Sequence, residues 1–455
     1  MLLTRRQSIL AALRALLISV SSSALLAPVR LLLPFSVKYR LRQALEKSAV
    51  NTLRFRRTGE WLERSRLAVD SAQADPRPWA DENGAGVNLY GYFSRWLGLG
   101  ECARLYANAM LASGYPVAVH DVDIDIPHER NDNTLASHLG RKSRFTRDII
   151  FVNPDHWEDT KESIGRDADS KHHVIGFWFW ELERFPEEWL HALDDVDEVM
   201  VSSAFVEQSV RRVCDKPVTR VPLPVVPGPD SGLRRSHFGL GDDSYVFFCA
   251  FDFNSTIARK NPHAVIDAFC RAFPRGDEEV TLLIKSSNGH RHAPQLMQLL
   301  AAASVDRRVV VRDDMLERAD LQALHRCVDV YVSLHRSEGF GLGIAEAMCM
   351  GKPVVATAYS GNMEFMTSAN SCLVNYRMIP VGASDYPHAR GQKWADPDPV
   401  HAAHHFKSLH YDRALAKRLG AQAAIDMARD FSIGACMSVM SERLRCVGVQ
   451  RDAIV

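Results

Sequence analysis

Ser337-Glu338-Gly339-Phe340-Gly341-Leu342-Gly343-Ile344-Ala345-Glu346-Ala347-Met348-Cys349-Met350-Gly351-Lys352-Pro353-Val354-Val355-Ala356-Thr357 is the stretch that decides the fold. It reads as a strand end, a glycine loop, a short helix, a glycine stop and a second strand. Three glycines in five positions, Gly339, Gly341 and Gly343, bare backbone N–H groups at a helix N-terminus. Such a terminus suits an anion, most simply a nucleotide diphosphate. Glu338 in the loop and Glu346 in the helix frame it. Like charges repel, so neither carboxylate belongs on the phosphates; both suit ribose and sugar hydroxyls. The bland alternative is a tight turn with a capping Glu.

Working outward, short β-rich runs alternate with helical stretches from about residue 86. The second half offers strands near Val246–Phe253, Val280–Ser286, Arg308–Arg312, Val328–Leu334, Pro353–Thr357 and Ser371–Val374, separated by helices near 262–273, 294–304, 318–327 and 343–350. The first half offers Val87–Phe93, Val117–Val122, Asp148–Asn153, His173–Trp180, Glu198–Ser203 and Val218–Val225, with a helix over Glu101–Ser113. Apolar strands alternating with helices predict α/β architecture, with parallel sheets covered on both faces. Pro222-Leu223-Pro224-Val225-Val226-Pro227-Gly228-Pro229 makes a stiff connector, because proline cannot donate to a ladder. The division expected is a basic, leucine-rich extension over 1–80, a first Rossmann-like domain over 81–226, and a second Rossmann-like domain over 227–430. Residues 431–455 are expected as a helix and tail that can return to the first domain. Ligands of doubly wound sheets bind outside the carboxyl ends of the strands.

The chain is neutral overall, with 55 basic and 55 acidic residues, and 46% of it is apolar. These values exclude a disordered chain, a polytopic membrane protein and a protein drawn to nucleic acid by global charge. The balance is uneven, since residues 1–45 carry seven basic side chains and no acidic one. Arg14 interrupts the apolar run there, and the longest uncharged window, Ala15–Val29, falls short of the about 20 residues a spanning helix needs. A basic, leucine-rich segment fits a helix lying on an anionic membrane surface. The alternatives are a helix packed on the protein itself, or an export signal, which Arg5-Arg6 imitates. Nine cysteines without a C-x-x-C spacing read as small core hydrophobes in a reducing compartment. No zinc spacing appears.

The quoted stretch resembles family 4 of the retaining glycosyltransferases, proteins of GT-B fold. Glu338 and Glu346 match that family's E-x7-E motif within G-F-G-L and E-A-M-x-x-G-K-P-V-V-A-T, and the resemblance extends over about residues 86–440. It implies that Glu338 faces the donor sugar, that Glu346 holds the nucleotide ribose, and that the amides of Gly339, Phe340, Gly341 and Leu342 bind phosphate. Ser360-Gly361-Asn362-Met363-Glu364 resembles the next glycine loop and places Glu364 beside the donor. In Phe251–Pro262, Lys260 matches a lysine that neutralises the diphosphate; the usual upstream arginine is absent and Arg259 is its substitute. Gly98 and Gly100 resemble the first-domain loop that closes over donor and acceptor. Glu181, after Phe177-Trp178-Phe179-Trp180, stands where relatives carry a cleft-facing acid or histidine, with Asp155-His156 and Arg95 as further options.

Asp121-Val122-Asp123-Ile124-Asp125 contains a D-x-D, which alternation at a strand end explains, and the family resembled needs no metal. The expectation is a metal-independent, retaining glycosyltransferase with Glu338, Lys260 and Glu181 as catalytic groups and no cofactor beyond its nucleotide-sugar donor. The acceptor would be a saccharide or lipid-linked saccharide of envelope or exported polysaccharide synthesis. The place expected is the cytoplasm, on the inner face of the membrane. Rivals are a degenerate GT-B protein that binds a sugar nucleotide or membrane partner without turnover, and a sugar-nucleotide epimerase.

Overall fold

The computed structural model describes residues 86–452 apart from 127, 129, 131, 141–144 and 166–171. The basic N-terminal segment, and with it the expected membrane contact, lies outside the described residues. The first sheet contains β1 (Val87–Gly91), β2 (Val117–Asp121), β3 (Arg147–Phe151), β4 (His173–Phe177), β5 (Glu198–Val201) and β6 (Val218–Arg220). All neighbours are parallel, in the order β2-β1-β3-β4-β5-β6. Helices α1 (Gly98–Ala112), α2 (Trp157–Ile164) and α3 (Ala204–Arg211) belong to this half. Every residue of β1 is buried, as continuous apolar runs demand of a parallel sheet. Two strands stop earlier than their apolar runs do. The run His173–Trp180 leaves the sheet after Phe177, and the run Val218–Val225 leaves it after Arg220, just before Pro222.

The second sheet holds β7 (Tyr245–Asp252), β8 (Val280–Ser287), β9 (Val309–Asp313), β10 (Val330–Ser333), β11 (Val354–Thr357) and β12 (Cys372–Val374). It too is parallel, in the order β12-β11-β10-β7-β8-β9. Its helices are α4 (Ile257–Lys260), α5 (Pro262–Ala272), α6 (Ala293–Ala303), α7 (Arg318–Cys327) and α8 (Leu342–Cys349). An antiparallel hairpin of β13 (Tyr376–Pro380) and β14 (Lys393–Pro397) follows, an element the periodicity of the sequence does not signal. Helices α9 (Pro399–Tyr411), α10 (Arg413–Asp430) and α11 (Ile433–Asp452) end the chain.

The chain passes between the halves twice. The proline-rich connector runs without regular structure, burying Val221, Leu223 and Val225. The return passage follows α10, after which α11 packs against α1, placing Cys436, Met440 and Leu444 in one core with Tyr106 and Met110. Val225 N–H donates to the Phe431 carbonyl at 2.9 Å, so the two passages lie side by side.

Strand order fixes where a ligand can sit. In the second sheet β7 and β10 are neighbours from which the chain winds in opposite directions, and in the first sheet β1 and β3 play the same part. Crevices at such switch points, outside the carboxyl ends of the strands, are the binding places of doubly wound sheets. The loops concerned are 92–97 and 152–156 in the first half, with 253–260 and 334–341 in the second. Among the described residues no helix is long and apolar enough to cross a membrane.

Candidate active site

Those four loops line a cavity of about 460 Å³ between the halves. Lys260 and Arg259 close α4, one turn after β7, where Asn261 enters the left-handed region (φ 51°) and ends the helix before Pro262 starts the next. Lys260 Nζ donates to Glu338 Oε1 at 2.6 Å, and Arg259 Nη1 lies 3.1 Å from Glu338 Oε2. Burial pushes the Glu338 carboxyl up, but Lys260, then Arg259 and His335, hold it down at about 2. Glu338 is therefore ionised at any working pH. Arg259 also donates to the Ser337 carbonyl at 2.9 Å, stands 3.9 Å from Glu181, and lies over the Tyr386 ring at 5.6 Å. Tyr386 in turn donates to Glu181 Oε2 at 2.7 Å. Glu338, Lys260, Arg259, Glu181 and Tyr386 thus form one continuous polar cluster, in which the structure unites all three expected catalytic residues.

The glycine loop beneath that cluster has backbone reasons for its sequence. Gly341 caps α8 at φ 95°, a conformation that side chains oppose. A Cβ on Gly361 would sit 2.1 Å from the Gly339 carbonyl, so Gly361 lets the two loops touch, and its N–H donates to the Glu338 carbonyl at 2.8 Å. The first domain pins the same loop: Ser203 Oγ donates to the Gly339 carbonyl at 2.5 Å, and Ser337 Oγ donates to the Glu181 carbonyl. Gly339, Phe340, Gly341, Leu342 and Gly98 all face the cavity. Ile344 N–H donates to the Gly341 carbonyl at 3.0 Å, whereas the Leu342 and Gly343 amides before it have no helical acceptor of their own and can meet an anion there.

Glu346 lies within α8, below Leu342 and Gly343, and does not face the cavity. Burial raises its carboxyl to about 7, opposed by Arg318 and assisted by Glu101. The two carboxylates of one motif therefore differ in character, one held ionised in a buried ion pair and the other about half protonated at pH 7.

Other expected residues stand elsewhere. Glu364 turns away from the cavity, accepting from Ala204 N–H at 2.8 Å and pairing with Arg220 at 3.1 Å across the domain boundary. Gly100 packs under the first-domain loop, where a Cβ would meet the Tyr92 carbonyl at 2.5 Å. Arg95 is buried and spends its guanidinium on the carbonyls of Ile124, Ile126 and His128. Asp155 and His156 do line the cavity, and burial raises the Asp155 carboxyl. β2 ends at Asp121, so strand alternation does not run on to Asp125. Asp121 instead accepts from Ser94 N–H at 2.9 Å, and Asp123 pairs with Arg130. Among the described residues no three His, Cys, Asp or Glu side chains gather as a metal site.

Sequence reasoning missed the loop of the β13–β14 hairpin, whose Tyr386, Pro387 and His388 close one side of the cavity. Gln392 anchors this loop to the first domain by donating to the Arg184 carbonyl at 2.7 Å. Tyr386 packs tilted against Trp180, and His388 packs edge-on against Trp180 and Trp189, so the cavity has an aromatic wall built from both domains. No periodic signal marks residues 381–392.

Residues 247–382 match the family described as Glycosyl transferases group 1. No curated protein sequence matches the chain. Among solved structures, the Anabaena protein HepE in complex with UDP and glucose is 13% identical, with TM-score 0.58 over 79% of this chain and 100% of its own. Sucrose-phosphate synthase from Thermosynechococcus elongatus is 16% identical, with TM-score 0.56 over 81% of this chain and 100% of its own. A glycosyltransferase from Rickettsia africae is 12% identical, with TM-score 0.57 over 79% of this chain and 98% of its own. At such identities the likeness speaks for the fold. Two parallel six-stranded sheets facing across a cleft give this chain the GT-B fold, and its second half, from β7 through the glycine loop, is similar to the glycosyltransferase group 1 family.

Proposed function

We propose that the protein is a retaining glycosyltransferase that moves a sugar from a nucleotide-diphosphate donor to a saccharide or lipid-linked saccharide acceptor. The observation that carries this reading is the meeting of Lys260 and Arg259 with the glycine loop and the α8 N-terminus at the β7/β10 switch point. The similar HepE structure, in complex with UDP and glucose, supports a nucleotide-sugar donor.

In this mechanism the diphosphate lies against the first-turn amides of α8, where the helix dipole favours an anion. Lys260 and Arg259 leave part of their hold on Glu338 to meet charge growing on the departing phosphate, a role worth most when the donors are preorganised and dry. Glu338, released from one cation, accepts from donor-sugar hydroxyls. The family resemblance assigns the ribose to Glu346, one helical turn beyond the Leu342 and Gly343 positions that line the cavity. The family resemblance implies that departure and attack proceed on one face of the sugar, without a covalent intermediate. The leaving phosphate helps take the acceptor proton. Glu181, held by Tyr386, orients the acceptor against the aromatic wall. Phosphate charge is met by side chains and amides, so the reaction needs no divalent metal.

The test is a calorimetric screen of UDP-, GDP- and dTDP-sugars, followed by transfer assays in which NMR reads the anomeric configuration of the product. Absence of binding by all three classes would sink the donor reading. Inversion at the anomeric carbon would sink the retaining mechanism while leaving the donor site standing.

A further inference from the structure

Arg318 opens helix α7 in the second domain and holds two carboxylates from different domains. Its Nη2 stands 3.3 Å from Glu346 Oε1, and its Nη1 pairs with Glu101 of α1. Glu101 is shared in turn with Arg104 at 2.9 Å. Arg104 is buried and donates to the Phe93 and Arg95 carbonyls at 3.0 and 2.9 Å, in the first-domain loop that borders the cavity. A continuous line of charge therefore runs from Glu346, beneath the donor loop, to the loop that faces it. Nothing in the motif reading of the sequence singles out Arg318.

We infer that Arg318 is a positioning residue for the donor site: its guanidinium holds the Glu346 carboxylate in place, and the first domain holds Arg318 in place through Glu101. The inference rests on the reading that Glu346 takes the ribose of a nucleotide donor. A neutral carboxyl offers a ribose hydroxyl a weaker acceptor than a carboxylate does. Burial drives Glu346 toward its neutral form, and of the groups facing it only Arg318 acts in the other direction. Glu101 and Cys102 of α1, Tyr331 of β10 and Cys349 of its own helix contribute either negative charge or no charge. Arg318 keeps 34% of its side chain in solvent, which screens its hold, so removing it should raise the Glu346 carboxyl by about one to two pH units and not more.

The experiment titrates donor into wild type, Arg318→Ala, Arg318→Lys and Glu346→Gln by calorimetry between pH 6 and 8.5, after melts confirm that each is folded. The probe is the tightest binder among UDP-glucose, GDP-mannose and dTDP-glucose, whose diphosphates do not titrate in this range. Wild-type affinity should fall as pH drops through about 7, because the proton on Glu346 must leave before the ribose binds. In Arg318→Ala the fall should begin about one to two units higher, giving roughly five- to fiftyfold weaker binding at pH 7 but within about fourfold of wild type at pH 8.5. Arg318→Lys should restore the wild-type profile. Glu346→Gln should bind weakly with a flat profile. Donor binding with no weakening in Glu346→Gln would remove the ribose role itself, and no binding by wild type would remove the donor site; either outcome overturns the inference together with its premise. With both standing, an Arg318→Ala profile parallel to wild type overturns the inference alone. A uniform loss would show direct contact with the donor, and an unchanged curve would show a spectator.

Discussion

Replacing Glu346 with Gln should stabilise the empty protein as pH rises, while weakening its grip on a donor. The side chain keeps its shape and can still accept from Arg318; what disappears is a proton equilibrium. The carboxyl titrates near 7 in the folded chain against 4.5 as its ordinary value. A raised folded value means that the folded state binds the extra proton, so wild-type stability is fullest below about 4.5 and is lost as pH climbs through 7. Integrating that linkage, the wild type loses about 2.5 kcal/mol between pH 5 and pH 8, and Gln at the same position loses none of it. Glu346 is only 8% exposed, so screening does little to reduce the figure. The measurement is the difference in melting temperature between the two proteins at pH 5, 6.5 and 8, where the gap should widen by several degrees in favour of the variant. Donor affinity at pH 8 should move the opposite way, by about 10- to 150-fold for a lost charge-assisted hydrogen bond of roughly 1.5–3 kcal/mol. A melting gap that stays constant with pH would show that Glu346 is not the raised carboxyl described above. A gap that widens with no loss of affinity would show a strained acid with no part in donor binding.

Lys260→Ala should lower kcat by about 10²- to 10³-fold, the range for removing one preorganised donor of charge, with a smaller effect on donor affinity; a change in solubility alone would make Lys260 a surface residue. Transfer should survive a chelator, and activity abolished by chelation and restored by Mn²⁺ would return attention to Asp121–Asp125. Removal of residues 1–45 should leave a folded, donor-binding protein that no longer floats with anionic vesicles at low salt, since each basic residue near such a surface contributes about 1 kcal/mol. Equal flotation of the full and shortened chains would place membrane contact elsewhere, and aggregation of the shortened chain would show that Leu31–Leu33 belong to its core.

The expected α/β class with two doubly wound sheets was legible because the twelve strands of those sheets lie in short, largely apolar runs bounded by helices or turns, a pattern set by local chemistry. That Glu338, Lys260 and the glycine loop meet in one place was legible for a related reason: a tight glycine loop at a helix start needs particular residues at particular spacings. The rest depends on contacts between distant parts of the chain. Glu364 stands in a glycine loop like that of a donor site, yet Arg220 and the Ala204 amide, about 150 residues away, draw it to the domain boundary. Gly100 marks a close approach of α1 to its own loop and not a ligand. Tyr386 and His388 carry no local signal, because a hairpin loop takes its direction from what it lands on, here Arg184, Glu181 and Trp180. Arg318 is equally silent in sequence, being one arginine at the start of an ordinary amphipathic helix.

The side-by-side passages at Val225 and Phe431 restrict how the two halves can move. A body tethered by one flexible strand can swing, twist and roll. Tethering it by two, hydrogen-bonded to each other and followed by a helix clamped on the opposite domain, removes the twist and the roll. The freedom that remains is a swing about the tethers, like a door on its frame. Ser203–Gly339, Tyr386–Glu181, Gln392–Arg184 and Arg318–Glu101 all bridge the halves, so a swing wide enough to break one strains the others. Admission and release of ligands should therefore follow a single all-or-none coordinate, with no graded series of half-open cavities.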